Sequence, residues 1–264
     1  MRIAIIGSGG REHAICKKIH QSKRVTKIFC IPGNGGTSKI SENVDLDIKN
    51  FAGIKNFLLG NNIDFTIIGP EDPLVNGIVD YLNQHKLKVF GPDKYCSKLE
   101  GSKIFTKKMC DIQQIPTAHF KIFDNSISSF EYLETKKYPL VVKADGLAAG
   151  KGVYICKNFE DAKIAVEEIF NGKFGKAHEV LIEDFLDGEE MSFFILYDNN
   201  SYRIFNSAQD HKRVFNQDKG KNTGGMGAYS PSRLLDSELE KKILNKIINP
   251  TLSYLKKNNG KYIG

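Results

Sequence analysis

The chain has 264 residues, of which 41% are hydrophobic and 26% charged, and its formal net charge is +7. This composition is typical of a globular protein and excludes disordered and fibrous classes, while the length allows two domains. A nucleic-acid partner is not expected, because only six of the 38 basic residues are arginine and no block of like charge or basic-aromatic stripe occurs.

The first hundred residues alternate short apolar runs with helical patterns, which predicts a parallel sheet covered by helices on both faces. Each run ends in a glycine or proline turn, so the ligand-binding loops should gather at the carboxyl ends of the strands. We therefore expect a Rossmann-like α/β domain over residues 1–100, complete by about Pro92. Its predicted strands are residues 3–6, 28–31, 65–68 and 88–90, and its predicted helices are residues 11–20, 51–59 and 75–84.

A helical stretch at residues 97–114 leads to Pro116, which is expected to stop it. A second, α+β domain then follows, and we place its bounds at residues 101–264. A final strand is expected to start at Ile263. The other predicted strands are residues 120–123, 140–142, 153–156, 180–183, 193–197 and 202–205, and the predicted helices are residues 129–136, 159–170 and 237–257.

The five cysteines are scattered, odd in number and never spaced as C-x-x-C, which favours reduced thiols over a disulfide framework or a zinc site. The N-terminal apolar run meets Gly7 too early for a signal peptide, and no later run approaches the length of a membrane span. We therefore expect a cytoplasmic protein without a membrane partner.

Residues 7–10 read GSGG between a predicted strand and a predicted helix, where glycine lets backbone N–H groups approach a phosphate. The dinucleotide fingerprint G-x-G-x-x-G fails, because position 12 is Glu12. An NAD(P)-dependent oxidoreductase would also need an acidic residue after the second strand, where the chain has Pro32 and Gly33. Arg11 and Glu12 favour a smaller ligand such as a sugar phosphate, and a purely structural turn is the alternative.

Residues 146–152 read GLAAGKG between two predicted strands, and Lys143 directly follows the first of them. The segment is not a Walker A loop, because its spacer is short and a strand follows where a helix would begin. It is typical of a flap whose amides and Lys151 meet nucleotide phosphates, with an inert hairpin as the alternative. Lys143 closes an apolar strand, so it should have an anionic partner.

The segment at residues 183–190 follows a predicted strand and reads EDFLDGEE. A strand leading into a turn can present backbone groups to an adenine edge, and a carboxylate a few residues later can accept from ribose hydroxyls. Five acidic residues in eight would also suit a solvated turn. The functional interpretation gains weight from Lys103, Lys143 and the flap.

Two further polar segments predict a substrate pocket. Residues 209–213 read QDHKR, and residues 222–231 read NTGGMGAYSP. A purely structural segment would have little use for acid, imidazole, ammonium and guanidinium groups beside a glycine turn. The same groups are well suited to bind a charged small molecule.

In this order the motifs resemble the glycinamide ribonucleotide synthetase family of the ATP-grasp superfamily, and the match runs the whole length of the chain. Biotin carboxylase and other ATP-grasp ligases share the plan of lysine, flap and hinge, but not the QDHKR and NTGGMGAYSP segments. The matching strings are GSGGREHA, PGNGGT, GPEDPLVNG, LEGSK, IPTA, VKADGLAAGKGV, IEDFLDGEE, QDHKR and NTGGMGAYSP.

The resemblance implies a pre-ATP-grasp N-terminal domain, an ATP-grasp domain with a lid subdomain at about residues 117–188, and ATP held between two α+β subdomains. Lys103 and Lys143 would contact the phosphates and the flap would close over them. The residues that would bind ATP are Lys103, Lys143, Gly146, Ala148, Ala149, Gly150, Lys151, Gly152, Glu183, Asp184, Phe185, Leu186 and Glu190.

The resemblance also implies a reaction, in which glycine and 5-phosphoribosylamine join through glycyl phosphate to give glycinamide ribonucleotide, ADP and phosphate in purine biosynthesis. Catalysis would rest on positioning and charge neutralisation rather than on a nucleophilic side chain. The residues implied in catalysis are Lys143, Asp210, Lys212 and Arg213. The residues implied in substrate binding are Gly9, Gly10, Arg11, Glu12, Pro70, Glu71, Asp210, Lys212, Asn222, Thr223, Gly224, Gly225 and Met226.

The family's protein ligands for Mg²⁺ or Mn²⁺ would follow Gly264, so no metal ligand is assigned within the chain. The 264-residue chain by itself is therefore expected to be inactive and to bind nucleotide weakly. A non-catalytic nucleotide-binding fragment and another ATP-grasp carboxylate–amine ligase remain alternatives. The oligomeric state stays open, with a monomer favoured.

Overall fold

The computed structural model describes residues 1–148, 151–175, 178–216 and 219–264. It divides into two compact units. The first unit comprises Met1–Gly101 and Asn259–Gly264, and the second comprises Ser102–Asn258. The helices in the described part of the chain are all too short or too polar to cross a membrane.

The elements are mostly short and are numbered along the chain. The strands are β1 (Arg2–Gly7), β2 (Lys27–Pro32), β3 (Glu42–Asn43), β4 (Phe65–Ile68), β5 (Val89–Pro92), β6 (Phe120–Phe123), β7 (Leu140–Ala144), β8 (Val153–Cys156), β9 (Val180–Asp184), β10 (Ile195–Tyr197), β11 (Tyr202–Ile204), β12 (Gln209–Asp210), β13 (Arg213–Phe215), β14 (Lys219–Asn222), β15 (Ala228–Tyr229) and β16 (Tyr262–Ile263). The helices are α1 (Gly10–His20), α2 (Phe51–Gly60), α3 (Glu71–Val75), α4 (Ile78–Gln84), α5 (Lys98–Gly101), α6 (Lys103–Ile112), α7 (Ser126–Glu134), α8 (Phe159–Phe170), α9 (Ser237–Ile243) and α10 (Asn249–Lys257), with a 3₁₀ turn at Thr37–Lys39 and a π-helical stretch at Leu244–Ile248.

The first unit is built on a six-stranded sheet in the order β16-β5-β4-β1-β2-β3. Its strands pair in parallel, except that β16 joins the β5 edge antiparallel. Alternate side chains of β1 face opposite sides: Ile5 packs with Cys16 of α1, and Ile6 packs with residues of α2 and α4. The predicted parallel sheet with helices on both faces is thus confirmed.

Two differences in the first unit arise from features that apolar periodicity does not detect. The helix predicted at residues 75–84 is observed as α4, which begins only at Ile78 because Gly77 adopts φ +91° before it, while Val75 ends the separate helix α3. The sheet is also not complete at Pro92. Tyr262 and Ile263 add a strand to it, and Lys261 and Asp93 exchange hydrogen bonds of 2.6 and 3.0 Å beside this strand.

The second unit contains a four-stranded antiparallel sheet in the order β6-β9-β7-β8. Helices α7 and α8 cover one face, where Val142, Ile182 and Val166 belong to one buried cluster. In an antiparallel sheet the alternate residues point to the opposite face, which is the face toward the candidate site.

The remainder of the second unit contains antiparallel strand pairs and a terminal helical segment. Strand β10 pairs with β11, β12 with β15, and β13 with β14. The helix predicted at residues 97–114 is broken at Ser102, whose side chain caps α6 by accepting a hydrogen bond from Phe105 N–H. The helix predicted at residues 237–257 is observed as α9, the π-helical stretch and α10.

Candidate functional site

Alternation along β7, β8 and β9 places one set of side chains over a cleft of about 1640 Å³ in the second unit. Val141 lies opposite both Ile155 and Glu183, and Lys143 lies opposite Val153. All five side chains line this cleft, with apolar groups on the β8 side and charged groups toward β9. Such a floor can contact both an apolar ring and an anionic group.

Glu183 is the centre of a charged cluster in the cleft, which we call the Glu183 cluster and which includes Lys143 and Lys107. Glu183 is only 6% exposed, and its two carboxylate oxygens contact different lysines. Oε1 forms an ion pair with Lys143 Nζ, and Oε2 lies 2.6 Å from Lys107 Nζ. The anionic partner expected for Lys143 is thus a residue of the chain, and the cluster keeps a net positive charge.

Lys107 is a residue of this cleft that the sequence reasoning missed. It lies one helical turn after Lys103 on α6, and its side chain is 11% exposed. Its ammonium also donates to Thr117 Oγ1 at 2.6 Å and to the Ala118 carbonyl at 3.1 Å. The i, i+4 spacing of two lysines beside IPTA was the available signal.

The base of the flap is fastened to the start of α6. Lys103 Nζ donates to the Gly146 carbonyl at 2.7 Å. The Asp145 carboxylate accepts from Ser102 Oγ at 2.9 Å and from Ile104 N–H at 3.1 Å. The lysine of LEGSK and the flap, which are 43 positions apart, therefore meet directly.

The two arms of the flap also contact each other near its base. Lys151 N–H donates to Ala148 O, and Ala144 N–H donates to Gly152 O, both at 2.9 Å. Lys151 is exposed and Gly152 is buried. The predicted site residues Ala149 and Gly150 lie outside the described residues.

The segment predicted to contact adenine runs from a buried to an exposed environment at the cleft. Asp184 is exposed and its N–H donates to His119 O at 2.9 Å, while Phe185 is half-buried. Leu186 is 69% exposed although it lines the cleft. An apolar side chain held open to solvent at this position is suited to cover a planar ring.

Glu190 and Lys212 come from different predicted subsites and lie together in the structure. Lys212 Nζ is 2.7 Å from Glu190 Oε2 and 3.9 Å from Asp210 Oδ1. The hydrogen bond that Lys212 donates to Glu190 raises the pKa of Lys212, and partial burial opposes the shift. The lysine is therefore held protonated at the mouth of the cleft.

The two polar segments at residues 209–213 and 222–231 pair along their length. Gln209 and Asp210 of β12 lie opposite Tyr229 and Ala228 of β15, and Arg213 of β13 lies opposite Asn222 of β14. Arg213 Nη1 donates to Gly220 O at 2.8 Å.

The glycine turn between the paired strands is held by hydrogen bonds to their backbone. Thr223 N–H donates to Lys212 O at 2.6 Å, and Met226 N–H donates to His211 O at 2.8 Å. Gly225 adopts φ +113°, and its N–H donates to Thr223 Oγ1 at 3.1 Å, while Gly224 is exposed. The predicted substrate segments thus form one antiparallel arrangement rather than separate loops.

Gln209 fixes the start of this arrangement; it belongs to the predicted QDHKR segment, but no individual role was predicted for it. Its Oε1 accepts from Tyr229 OH and from Ser232 Oγ, and its Nε2 donates to Glu189 at 3.1 Å. Arg233 contacts both oxygens of Glu189 at 2.8 Å and lowers the pKa of that carboxyl. The buried amide, with both polar atoms used, locks the register of β12 against β15.

In the first unit, Glu12 organises the glycine turn after β1. The residue is 2% exposed, and its Oε2 accepts from Gly9 N–H at 2.6 Å. A Cβ on Gly7 or on Gly69 would lie 2.6 Å from Glu12 Cγ, so the glycines make room for this side chain. Gly10, the first residue of α1, is exposed.

Arg11 joins this turn to the start of α3. Its Nε lies 2.9 Å from Glu12 Oε1, and its Nη1 lies 3.0 Å from Glu71 Oε1. Pro70 precedes the helix as its N-cap residue. The hydrogen bond from Arg11 lowers the pKa of Glu71 against the effect of desolvation. The residues predicted at the two strand ends of this unit therefore lie side by side.

The described residues offer neither a metal site nor a reactive thiol. No group of three His, Cys, Asp or Glu side chains in the described part of the chain is placed to hold a metal ion. All five cysteines are buried free thiols, and burial raises the pKa of Cys30 and of Cys156 to about 11. The thiols of Cys30 and Cys156 are therefore held in their neutral, weakly nucleophilic form.

Comparison with protein families gives two matches that together span the chain. Residues 1–100 match the N domain of phosphoribosylglycinamide synthetase, and residues 101–264 match its ATP-grasp (A) domain. A phosphoribosylamine–glycine ligase of Mesorhizobium japonicum is 46% identical over 253 residues, which cover 96% of this chain and 60% of the relative. The chain thus spans about 60% of the length of the curated relatives it matches.

The fold of this chain is similar to that of solved structures. A phosphoribosylamine–glycine ligase from Thermotoga maritima has a TM-score of 0.85 and 30% identity, and the match covers 100% of this chain and 63% of that one. The biotin carboxylase domain of a Hydrogenobacter thermophilus 2-oxoglutarate carboxylase, solved with MgADP, ADP and bicarbonate, has a TM-score of 0.74 and 16% identity, with coverages of 96% and 58%. The second likeness concerns the fold alone.

Proposed function

Because the chain belongs to the phosphoribosylglycinamide synthetase family, we propose for it the function of an ATP-dependent ligase that joins glycine to 5-phosphoribosylamine in purine biosynthesis, with residues 1–264 by themselves inactive. The observation that carries this proposal is the cleft of the second unit. A net positive lysine cluster and an acidic segment after β9 line one space, and the glycine flap lies in the sequence between two of its lining residues, Lys143 and Val153. This is the chemistry that a nucleoside triphosphate requires.

ATP would lie across the cleft floor, with its base against the segment that begins at Glu183 and its phosphates toward Lys143. Leu186 and Val153 would cover the base, and Glu190 would accept from the ribose hydroxyls. Lys103 holds the first glycine of the flap, so it would position the backbone amides that close over the phosphates.

The proposed reaction has two displacements. A carboxylate oxygen of glycine attacks the γ-phosphorus of ATP, the bond to the bridging oxygen breaks, and ADP leaves. The amine nitrogen of phosphoribosylamine then attacks the carbonyl carbon of glycyl phosphate, the bond to the phosphate oxygen breaks, and the departing phosphate takes up the proton lost by the amine. Lys143 would neutralise charge on the transferred group, and Lys212 and Arg213 would orient the anionic substrates.

A divalent metal would neutralise the phosphates further when bound. The described residues do not form a three-ligand site for it, so no step is assigned to a metal ion held by them.

The substrate-binding residues proposed in the first unit are Gly9, Gly10, Arg11, Glu12, Pro70 and Glu71, and those proposed in the second are Asp210, Lys212, Asn222, Thr223, Gly224, Gly225 and Met226. We further propose a cytoplasmic enzyme without a nucleic-acid partner.

Nucleotide titration tests the proposal directly. We expect the 264-residue chain to bind ATP and ADP in calorimetry more tightly than GTP, because the adenine edge would meet backbone groups after β9. NADH fluorescence should not change on addition of the chain. Absence of ATP binding, or saturable NADH binding, would refute the proposed nucleotide site.

Substitutions in the substrate segment should affect the use of phosphoribosylamine much more than the affinity for ATP. In a protein extended to the full length of the curated relatives, Asp210→Ala and Arg213→Ala should weaken the use of phosphoribosylamine at least about 10-fold while the ATP affinity changes about 2-fold or less. The reason is that both residues lie in the paired strands β12–β15, whereas the lysines at the cleft floor come from α6 and β7. Steady-state kinetics in each substrate measure the effect, and equal losses for both substrates would place these residues on the nucleotide.

A further inference from the structure

We propose that Glu183 is a positioning residue that holds Lys143 and Lys107 side by side for the polyphosphate of the nucleotide. The inference rests on the proposed nucleotide site and assigns a role to a side chain for which only a backbone contact with adenine was expected. Its basis is the bridging of two lysines from separate elements by one buried carboxylate.

The geometry of the Glu183 cluster is specific to a bridging carboxylate. Lys143 comes from β7 and Lys107 from α6, and each ammonium contacts a different oxygen of Glu183. Because both ammonium groups lie beside one carboxylate, they are close to each other and would repel without it. Glu183 thus allows two positive charges to share one small region of the cleft floor.

The contact to Oε2 is electrostatic rather than a well-aligned hydrogen bond. Lys107 Nζ lies 2.6 Å from this oxygen, yet Oε2 accepts no hydrogen bond of good geometry from the described residues. The ammonium instead donates to Thr117 Oγ1 and to Ala118 O. The bonds to Thr117 and Ala118 therefore hold Lys107 in place, and Glu183 sets the distance between Lys107 and Lys143.

The two lysines differ in solvent exposure, which indicates different roles in phosphate binding. Lys143 is 25% exposed and faces the cleft, whereas Lys107 is 11% exposed. A phosphate entering the cleft would meet Lys143 first, with Lys107 and Glu183 behind it. Losing the carboxylate would displace Lys143 from this position, because an amide cannot accept from both lysines at once and would turn a donor toward one of them.

The test is the substitution Glu183→Gln, titrated by calorimetry with ATP and with adenosine. We expect ATP affinity to fall about 10-fold or more and adenosine affinity to change about 2-fold or less. A residue that merely supports the fold would move both affinities together. Glu183→Asp, which keeps the charge on a shorter side chain, should restore part of the ATP affinity.

Glu179→Gln is the matched control, since the Glu179 side chain is 41% exposed and forms only a loose ion pair with Lys108, at 4.0 Å. It should leave both affinities unchanged. In a Lys143→Ala background, Glu183→Gln should cost about 3-fold or less, because its main effect passes through the missing lysine. Unchanged or tighter ATP binding by Glu183→Gln, or equal losses for ATP and adenosine, would overturn the positioning role. A wild-type chain that fails to bind ATP would instead overturn the nucleotide site itself.

Discussion

Lys143→Ala should weaken ATP binding by about 2 kcal/mol or more, roughly 30-fold, as expected when a charge-assisted hydrogen bond is removed from a partly desolvated site. The structure adds a second reason for a large effect. Removal of Lys143 leaves Glu183 Oε1 without its ion pair at the cleft floor. A phosphate would then approach a carboxylate balanced by Lys107 alone.

Calorimetry with ATP and adenosine measures this effect and locates it on the phosphates. Lys108→Ala provides the control, because Lys108 follows Lys107 directly on α6 but is 58% exposed and is paired only loosely with Glu179. Its ATP affinity should equal that of the wild type. Unchanged affinity in Lys143→Ala would remove this lysine from the proposed site.

Gly7→Ala should destabilise the first unit by about 3 kcal/mol or more. Gly7 has φ +127°, a conformation that side chains rarely adopt, and a Cβ would lie 2.6 Å from Glu12 Cγ. Glu12 cannot move away cheaply, because it is buried and bonded to Gly9 N–H and Arg11. The added Cβ atom would therefore cause both backbone strain and steric overlap with Glu12.

Amide hydrogen exchange in β1 and β2 reports the stability of this unit separately from the other. Gly35→Ala is the control, since a Cβ there would meet no heavy atom within 4 Å, and its effect should stay within about 0.5 kcal/mol. Equal protection of β1 in Gly7→Ala and in wild type would show that the turn tolerates a side chain.

The parts of the fold that the sequence predicted are those set by local pattern. Apolar runs closed by glycine or proline indicated the positions of β1, β2 and β4, and the two strands predicted on either side of the GLAAGKG segment are observed as β7 and β8. The helix breaks were missed because each depends on a single residue, Gly77 through its positive φ and Ser102 through its capping hydroxyl. Periodicity averages over such positions.

The contacts missed at the candidate site are long-range. Lys107 and Glu183 are far apart in sequence, and a lysine on an amphipathic helix is ordinarily solvated. Only the pairing of β6, β7 and β9 brings Glu183 to the cleft floor. The structural role of Gln209 was not predicted for a similar reason, because its partners Tyr229 and Ser232 lie some twenty residues later.

Strand β16 has a consequence for the order in which the chain can fold during synthesis. It covers the outer edge of β5, and the neighbouring hydrogen bond between Lys261 and Asp93 spans 168 positions. At about 5 to 20 residues per second, a ribosome needs roughly 10 to 30 s to make this stretch. Throughout that interval the nascent sheet carries an open strand edge, which is a template for pairing with other chains.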